Sequence, residues 1–155
     1  MLTTLGEEHP ESFLAIRARA QAQAQGLDNV GEHEEADRYY QTALELAPGG
    51  YSLLVEVARF YGRGERWAEA EPLLAHAIQL FPTHPVAWQV LSEQRLNQGR
   101  GREGHAVALQ GLSLVGSDRD LWKLVSESYV VKGDYEAAIR ARWASFAVSD
   151  DDSEE

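Results

Sequence analysis

The sequence predicts an all-α fold, a solenoid of about eight helices stacked as antiparallel pairs. Three observations carry that prediction. Ala36, Ala70, Gly104 and Ala138 form an unbroken series at a 34-residue interval. Trp88 and Trp122 share the interval, as do Pro48 and Pro82. Each resulting block (17–50, 51–84, 85–118 and 119–152) holds two helix-length stretches, and no insertion separates the blocks. A period of this length marks stacked units that bury their apolar faces on one another.

Taken in order, helices are expected over 10–26, 32–47, 50–63, 66–81, 84–98, 101–115, 118–132 and 134–148. Pro10 suits the first turn of the opening helix, where a missing N–H costs nothing. The second helix starts among Glu32, Glu34 and Glu35, which the positive end of a helix dipole favours. Pro48 and Pro82 close the second and fourth helices, because proline lacks a donor and restricts the residue before it. Trp67 opens the fourth helix as Tyr135 opens the eighth. Gly99 breaks the chain between the fifth and sixth, at the place Gly133 takes one block later and Gly31 takes in block one. In the seventh helix Trp122, Val125, Ser126 and Tyr129 share one face. Gly133 suits the left-handed position that ends it, and Asp134 can cap the next. The last helix is expected to set Ala138, Ile139, Arg142 and Phe146 to one side.

These residues carry a resemblance. The tetratricopeptide (TPR) pattern runs W-x₂-L-G-x₂-Y…A-x₃-F…P over 34 residues. Block four matches it with Trp122, Val125, Ser126, Tyr129 and Ala138, and block three with Trp88, Leu91, Ser92, Arg95, Gly104 and Ala108. Block two offers Leu54, Val57, Ala58, Tyr61, Ala70, Leu74 and Pro82. Block one offers Ala20, Gln23, Ala24, Leu27, Ala36, Tyr40 and Pro48. The chain resembles a TPR array over nearly its full length, which implies a right-handed α-solenoid, the TPR superhelix. Departures are local. Block one lacks the Trp and Leu, and Arg95 and Arg142 stand where aromatics are expected. Gly116 and Asp150 replace the terminal proline. Small residues at Ala24, Ala58, Ser92 and Ser126, and in the alanine–glycine series, let the paired helices approach. A larger side chain there would overpack the pair by about 1–3 kcal/mol.

Composition bounds the function. At roughly 100–200 residues per domain, 155 residues make one domain, expected over 1–149 with a leading helical extension from about 10. The segment 150–155 carries five acids and is expected to be a disordered acidic tail. No cysteine is present, which excludes disulfides, thiolate nucleophiles and thiolate metal sites. The net charge of −11 repels phosphate backbones, so no nucleic acid is expected as ligand. That charge is uneven: residues 1–50 carry −6, 51–100 carry 0 and 101–155 carry −5. No apolar run is long enough to insert into a membrane, and the N-terminus lacks signal-peptide features. Twelve of fourteen bases are Arg, a usage that hints at a GC-rich bacterial genome.

Signals that resemble chemistry have plainer explanations. Gly99-Arg100-Gly101-Arg102-Glu103-Gly104 matches GxGxxG, but a dinucleotide loop needs a strand before it, and here a helix precedes it. His9, His33, His76, His84 and His105 include no pair three or four apart, so no metal is expected. No nucleophile elbow or paired-carboxylate motif stands out, so no catalytic residue and no cofactor are expected.

The TPR resemblance implies a concave groove lined by the first helix of each pair. By repeat phase it would hold Gln21, Gln25, Asp28 and Asn29, then Val55, Arg59 and Arg63, then Gln89, Glu93 and Asn97, then Lys123 and Glu127. One TPR subclass clamps the acidic C-terminus of heat-shock proteins with Lys, Asn and Arg. The matching places here are Gln21, Gln25, Glu56, Gln89 and Glu93, and Glu93 would repel a carboxylate, so that ligand is rejected. What remains is amide-rich, with one basic island at Arg59 and Arg63. It fits a peptide or helix with a single acidic anchor. The last helix carries Ile139, Trp143 and Phe146 with no ninth helix to cover them, so it is a candidate apolar interface. Three explanations compete: a longer array, a copy or partner packed on it, or side chains folded back.

The expected function is that of a non-enzymatic, cytoplasmic adaptor with a protein or peptide partner. The alternative is a regulatory or oligomerising segment of a larger bacterial enzyme or envelope-assembly protein, with a homo-oligomer formed through the last helix.

Overall fold

The computed structural model describes residue 15 and residues 30–148. Seven helices follow one another there: α1 Val30–Leu46, α2 Tyr51–Arg63, α3 Trp67–Leu80, α4 Pro85–Asn97, α5 Gly101–Val115, α6 Arg119–Lys132 and α7 Tyr135–Ala147. They stack as a solenoid of antiparallel pairs, with α2 on α3, α4 on α5 and α6 on α7. The expected opening helix over 10–26 and the tail 150–155 lie outside the described residues. The expected ends of the other seven helices fall within two residues of the observed ones. Among the described residues, no helix is long and apolar enough to cross a membrane.

The second helix of each block carries a buried small residue at one repeated place. Ala36 and Ala70 are fully buried, and Gly104 and Ala138 are buried at the equivalent places. A Cβ on Gly104 would fall 2.9 Å from the carbonyl oxygen of Ser92 and 2.9 Å from Leu96 Cγ, so the two backbones leave no room for one. The facing serines do more than stay small. The Ser92 hydroxyl donates to the Gly104 carbonyl at 2.8 Å, and the Ser126 hydroxyl donates to the Ala138 carbonyl at 2.8 Å. Such bonds, buried and repeated one block apart, contribute about 1 kcal/mol each. The apolar core, including Tyr40, Leu54, Val57, Leu74, Trp88, Leu121 and Val125, fills the space between successive layers.

Successive pairs are joined at one recurring place, and its chemistry changes at each joint. Tyr61 of α2 donates its hydroxyl to Asp37 of α1 at 2.8 Å. Arg66 binds the other oxygen of Asp37 at 2.8 Å and lies 4.4 Å over the Tyr61 ring. Burial, then the Asp37 carboxylate, push the Tyr61 phenol up to about 12, so it stays a donor. One block later Arg95 replaces the tyrosine and pairs with Glu71 of α3, and with Glu103 at 2.8 Å. Arg100 follows as Arg66 does, pairing with Glu103 and approaching Glu71 at 3.6 Å. This substitution explains the missing aromatic, although it leaves Arg95 Nε buried without a partner among the described residues. At the last joint His105 of α5 meets the Tyr129 ring edge-on at 4.7 Å, with Nδ1 against the Ser128 hydroxyl. Burial, with Lys132 nearby, holds the His105 pKa below its ordinary value.

Turns and the last helix depart from expectation. Gly99 and Gly133 adopt left-handed φ values of +73° and +77° between paired helices, as expected. Between α2 and α3 the equivalent position is Glu65, held at φ +57°. Gly31 does not make a turn; α1 begins at Val30 and takes it into the first helical turn. In α7, Ala138 does not share a face with Ile139, Arg142 and Phe146. It is buried against α6 while the other three are exposed. The small residue follows the helix contact and the large ones turn away from it.

Three stability measurements follow from these contacts. Gly104→Ala should gain about 1 kcal/mol of helix propensity yet lose more to the clash with Ser92, a net destabilisation by urea denaturation of about 1–2 kcal/mol. Glu65→Gly should raise stability by about 1 kcal/mol, because a β-carbon is disfavoured at that φ. For His105 the sign is fixed by its lowered pKa. The unfolded state binds the proton more tightly, so stability present above about pH 6.5 is lost as pH falls below it. The urea midpoint of wild type should therefore drop more than that of His105→Gln between neutral pH and about pH 5.5.

Candidate binding groove

Two open clefts run along the first helices of the pairs and share a wall. One, of about 380 Å³, lies between α2, Tyr40 of α1 and the start of α4 at His84 and Val86. The other, of about 390 Å³, lies between α2, Trp67 and the α4 residues Val90, Glu93, Gln94 and Asn97. Arg59 and Arg63 line both. They stand one turn apart on the exposed side of α2, so their guanidinium groups form one basic ridge between the clefts. Among the described residues, neither forms an ion pair with a carboxylate. Acids face them from both sides: Glu56 in the first cleft and Glu93 in the second.

The ridge stands on a fixed floor. Val55 and Val90 are buried beneath it. Gln94 is buried and donates its amide to the Ala58 carbonyl of α2 at 2.9 Å, which locks α4 to α2. Gly62 makes that possible, because a Cβ there would fall 2.5 Å from Gln94 Nε2. In the first cleft Tyr51 accepts the Ala87 backbone N–H at 2.9 Å and so caps α4 from the preceding pair. Its ring lies 4.4 Å from that of His84 and 5.4 Å from that of Phe81. Burial raises the Tyr51 pKa against the opposing pull of the Ala87 bond and Arg59. Tyr40 donates to Glu56 at 3.1 Å and orients that acid.

Sequence phase placed other residues in this groove, and the structure divides them. Gln21, Gln25, Asp28 and Asn29 lie outside the described residues. Arg59, Arg63, Glu93 and Asn97 come together at the second cleft. Gln89 is half-buried and donates to Asp118 at 2.9 Å, and Asp118 also caps α6 through the Leu121 N–H. Its amide therefore braces the α5–α6 turn. Lys123 is paired with Asp120 at 2.7 Å on its own helix. Tyr40, Tyr51, Trp67 and Gln94 line the clefts without having been assigned to them from sequence. Repeat phase placed only first-helix side chains there, whereas Tyr40 and Trp67 belong to second helices. Ile139, Trp143 and Phe146 are exposed on α7, far along the chain from the ridge.

The serine and histidine brought together at the last joint do not form an open site. Ser128 beside His105 is 1% exposed and donates to the Val125 carbonyl, so its hydroxyl serves the helix interior. Among the described residues, no group of three His, Asp or Glu is placed to hold a metal ion. The GxGxxG stretch forms the α4–α5 turn and the close approach at Gly104.

A helical-repeat solenoid with an open groove defines an architecture, and comparison with known proteins agrees on it. No protein-family model and no curated protein sequence matches the chain. Solved structures do. The chain is similar to MamA MSR-1 C2, with a TM-score of 0.63 and 17% identity over 79% of this chain and 71% of that one. It is similar to the MamA RS-1 ArsTM double mutant, with a TM-score of 0.65 and 14% identity over 88% and 76%. It is similar to MamA AMB-1 P212121, with a TM-score of 0.62 and 16% identity over 96% and 90%. At these identities the likeness is one of fold: an all-α solenoid of stacked helix pairs.

Proposed function

We propose that the chain is a non-enzymatic TPR interaction module that holds a peptide or helix of a protein partner against the Arg59–Arg63 ridge. One observation carries the reading: two exposed guanidinium groups share the wall of both clefts, without an ion pair among the described residues. A guanidinium can grip one carboxylate with two parallel hydrogen bonds. Glu56 and Glu93 flank the ridge and would repel further acids, so the fitting ligand carries one acidic anchor among amide and apolar contacts. Val86, half-buried at the edge of the first cleft, offers the apolar part. The neutral central third of the chain leaves this region accessible to an acidic group that the two acidic ends would repel.

A second reading has its own support. The exposed aromatic face of α7 favours a regulatory or oligomerising segment of a larger bacterial enzyme or envelope-assembly protein. A bacterial source belongs to the proposal, drawn from arginine usage.

The test is capture of partners from a source-cell lysate with two baits, wild type and Arg59→Glu/Arg63→Glu. The charge-reversed bait should lose the partner by at least tenfold, about 1.4 kcal/mol. Equal capture by both baits would remove the ridge from the binding site.

A further inference from the structure

The last helix is apolar on the wrong side. Toward α6 it turns small residues, with Ala138, Ala141 and Ser145 buried. Its large side chains point outward: Tyr135 is 66% exposed, Ile139 57%, Trp143 70% and Phe146 54%. These four are spaced by four, four and three residues, so they form one stripe along the helix. Trp143 and Phe146 already touch edge-on at 6.2 Å, and Arg142 lies 5.6 Å over the Phe146 ring.

The stripe is self-complementary about Ile139. Tyr135 stands four residues before it and Trp143 four after it. The acid Glu136 lies before it, and the bases Arg140 and Arg142 lie after it. When two such helices run antiparallel with Ile139 at the centre, Tyr135 of each copy comes level with Trp143 of the other. The acidic end of each copy then faces the basic end of its mate. A parallel pairing would set acid on acid and base on base. The helix dipoles also oppose in the antiparallel arrangement, which favours it.

We propose that α7 joins two copies of this chain in an antiparallel, two-fold dimer centred on Ile139. The inference rests on the stripe and its charge order, independently of the groove. At about 150–250 Å² per aromatic side chain, the exposed parts of Tyr135, Trp143 and Phe146 supply roughly 400 Å². Val131, 76% exposed at the end of α6, adds to this. A standard interface takes about 800 Å² from each partner, so this dimer is a small one at the weak, reversible end of the range.

Sedimentation of the full chain across micromolar concentrations tests the proposal, with helicity checked by circular dichroism. Wild type should pass from monomer to dimer. Glu136→Arg alone, and Arg140→Glu/Arg142→Glu alone, should each weaken association at least tenfold. The triple variant, with all three charges reversed, should restore it, because the antiparallel match is regained. Geometry is read separately by a short bismaleimide, since the chain has no cysteine. Ile139→Cys should link two copies across the axis. Ala147→Cys should not, because eight residues from the axis in each copy separate the pair by about 24 Å. A wild type that stays monomeric, charge variants that associate unchanged, a triple variant that fails to recover, or linking through Ala147 would each overturn the proposal.

Discussion

The close approach of the two helices in each pair sets the geometry of everything else. Where Gly104 meets Ser92, backbone lies against backbone, and a single methyl group is too much. Small buried residues stand at the equivalent places Ala70 and Ala138, so the three described pairs can close alike and stack on one another. The groove is a consequence of that stacking. It brings α2 beside α4, so that Arg59, Glu93 and Asn97, distant in sequence, line one cleft. Serine at positions 92 and 126 adds a hydrogen bond to what the small side chain already permits.

Much of this was legible in the sequence because it depends on period. A helix pair that repeats without insertion fixes the phase of every later residue. The helix ends at Arg63, Val115 and Lys132 were read in place for that reason. Reading failed where a contact crosses between elements with no period of its own. Nothing in the pattern indicates that Gln89 reaches Asp118, or that Gln94 crosses to the Ala58 carbonyl. Arg95 looked like a defect because the pattern asks for an aromatic. Its partner Glu71 sits 24 residues earlier, at the offset that separates Asp37 from Tyr61. That offset was present in the sequence, but only the folded joint gives it meaning. The face of Ala138 was misassigned because α7 carries small apolar residues on one face and large ones on another, so periodicity does not tell the contact face from the free one.

The groove and the last helix place different demands on the same scaffold. The ridge needs a rigid floor, and buried Gln94 with Gly62 supplies one. The α7 stripe needs only a helix held in position, which the Ser126 bond and the buried alanines provide. Neither surface shares a side chain with the other, so a change at one can leave the other intact.

The joints between pairs are chemically unlike one another. The first is held by a phenol and a guanidinium sharing Asp37, the second by a lattice of arginine and glutamate, the third by a neutral imidazole against a tyrosine edge. They therefore yield to different changes in the surroundings. Added salt weakens the partly exposed ion pairs of the first two joints. Mild acid strikes the imidazole, whose charged form burial disfavours. A stack with uniform geometry thus has seams of graded sensitivity, and its curvature can soften at one end while the other keeps its shape.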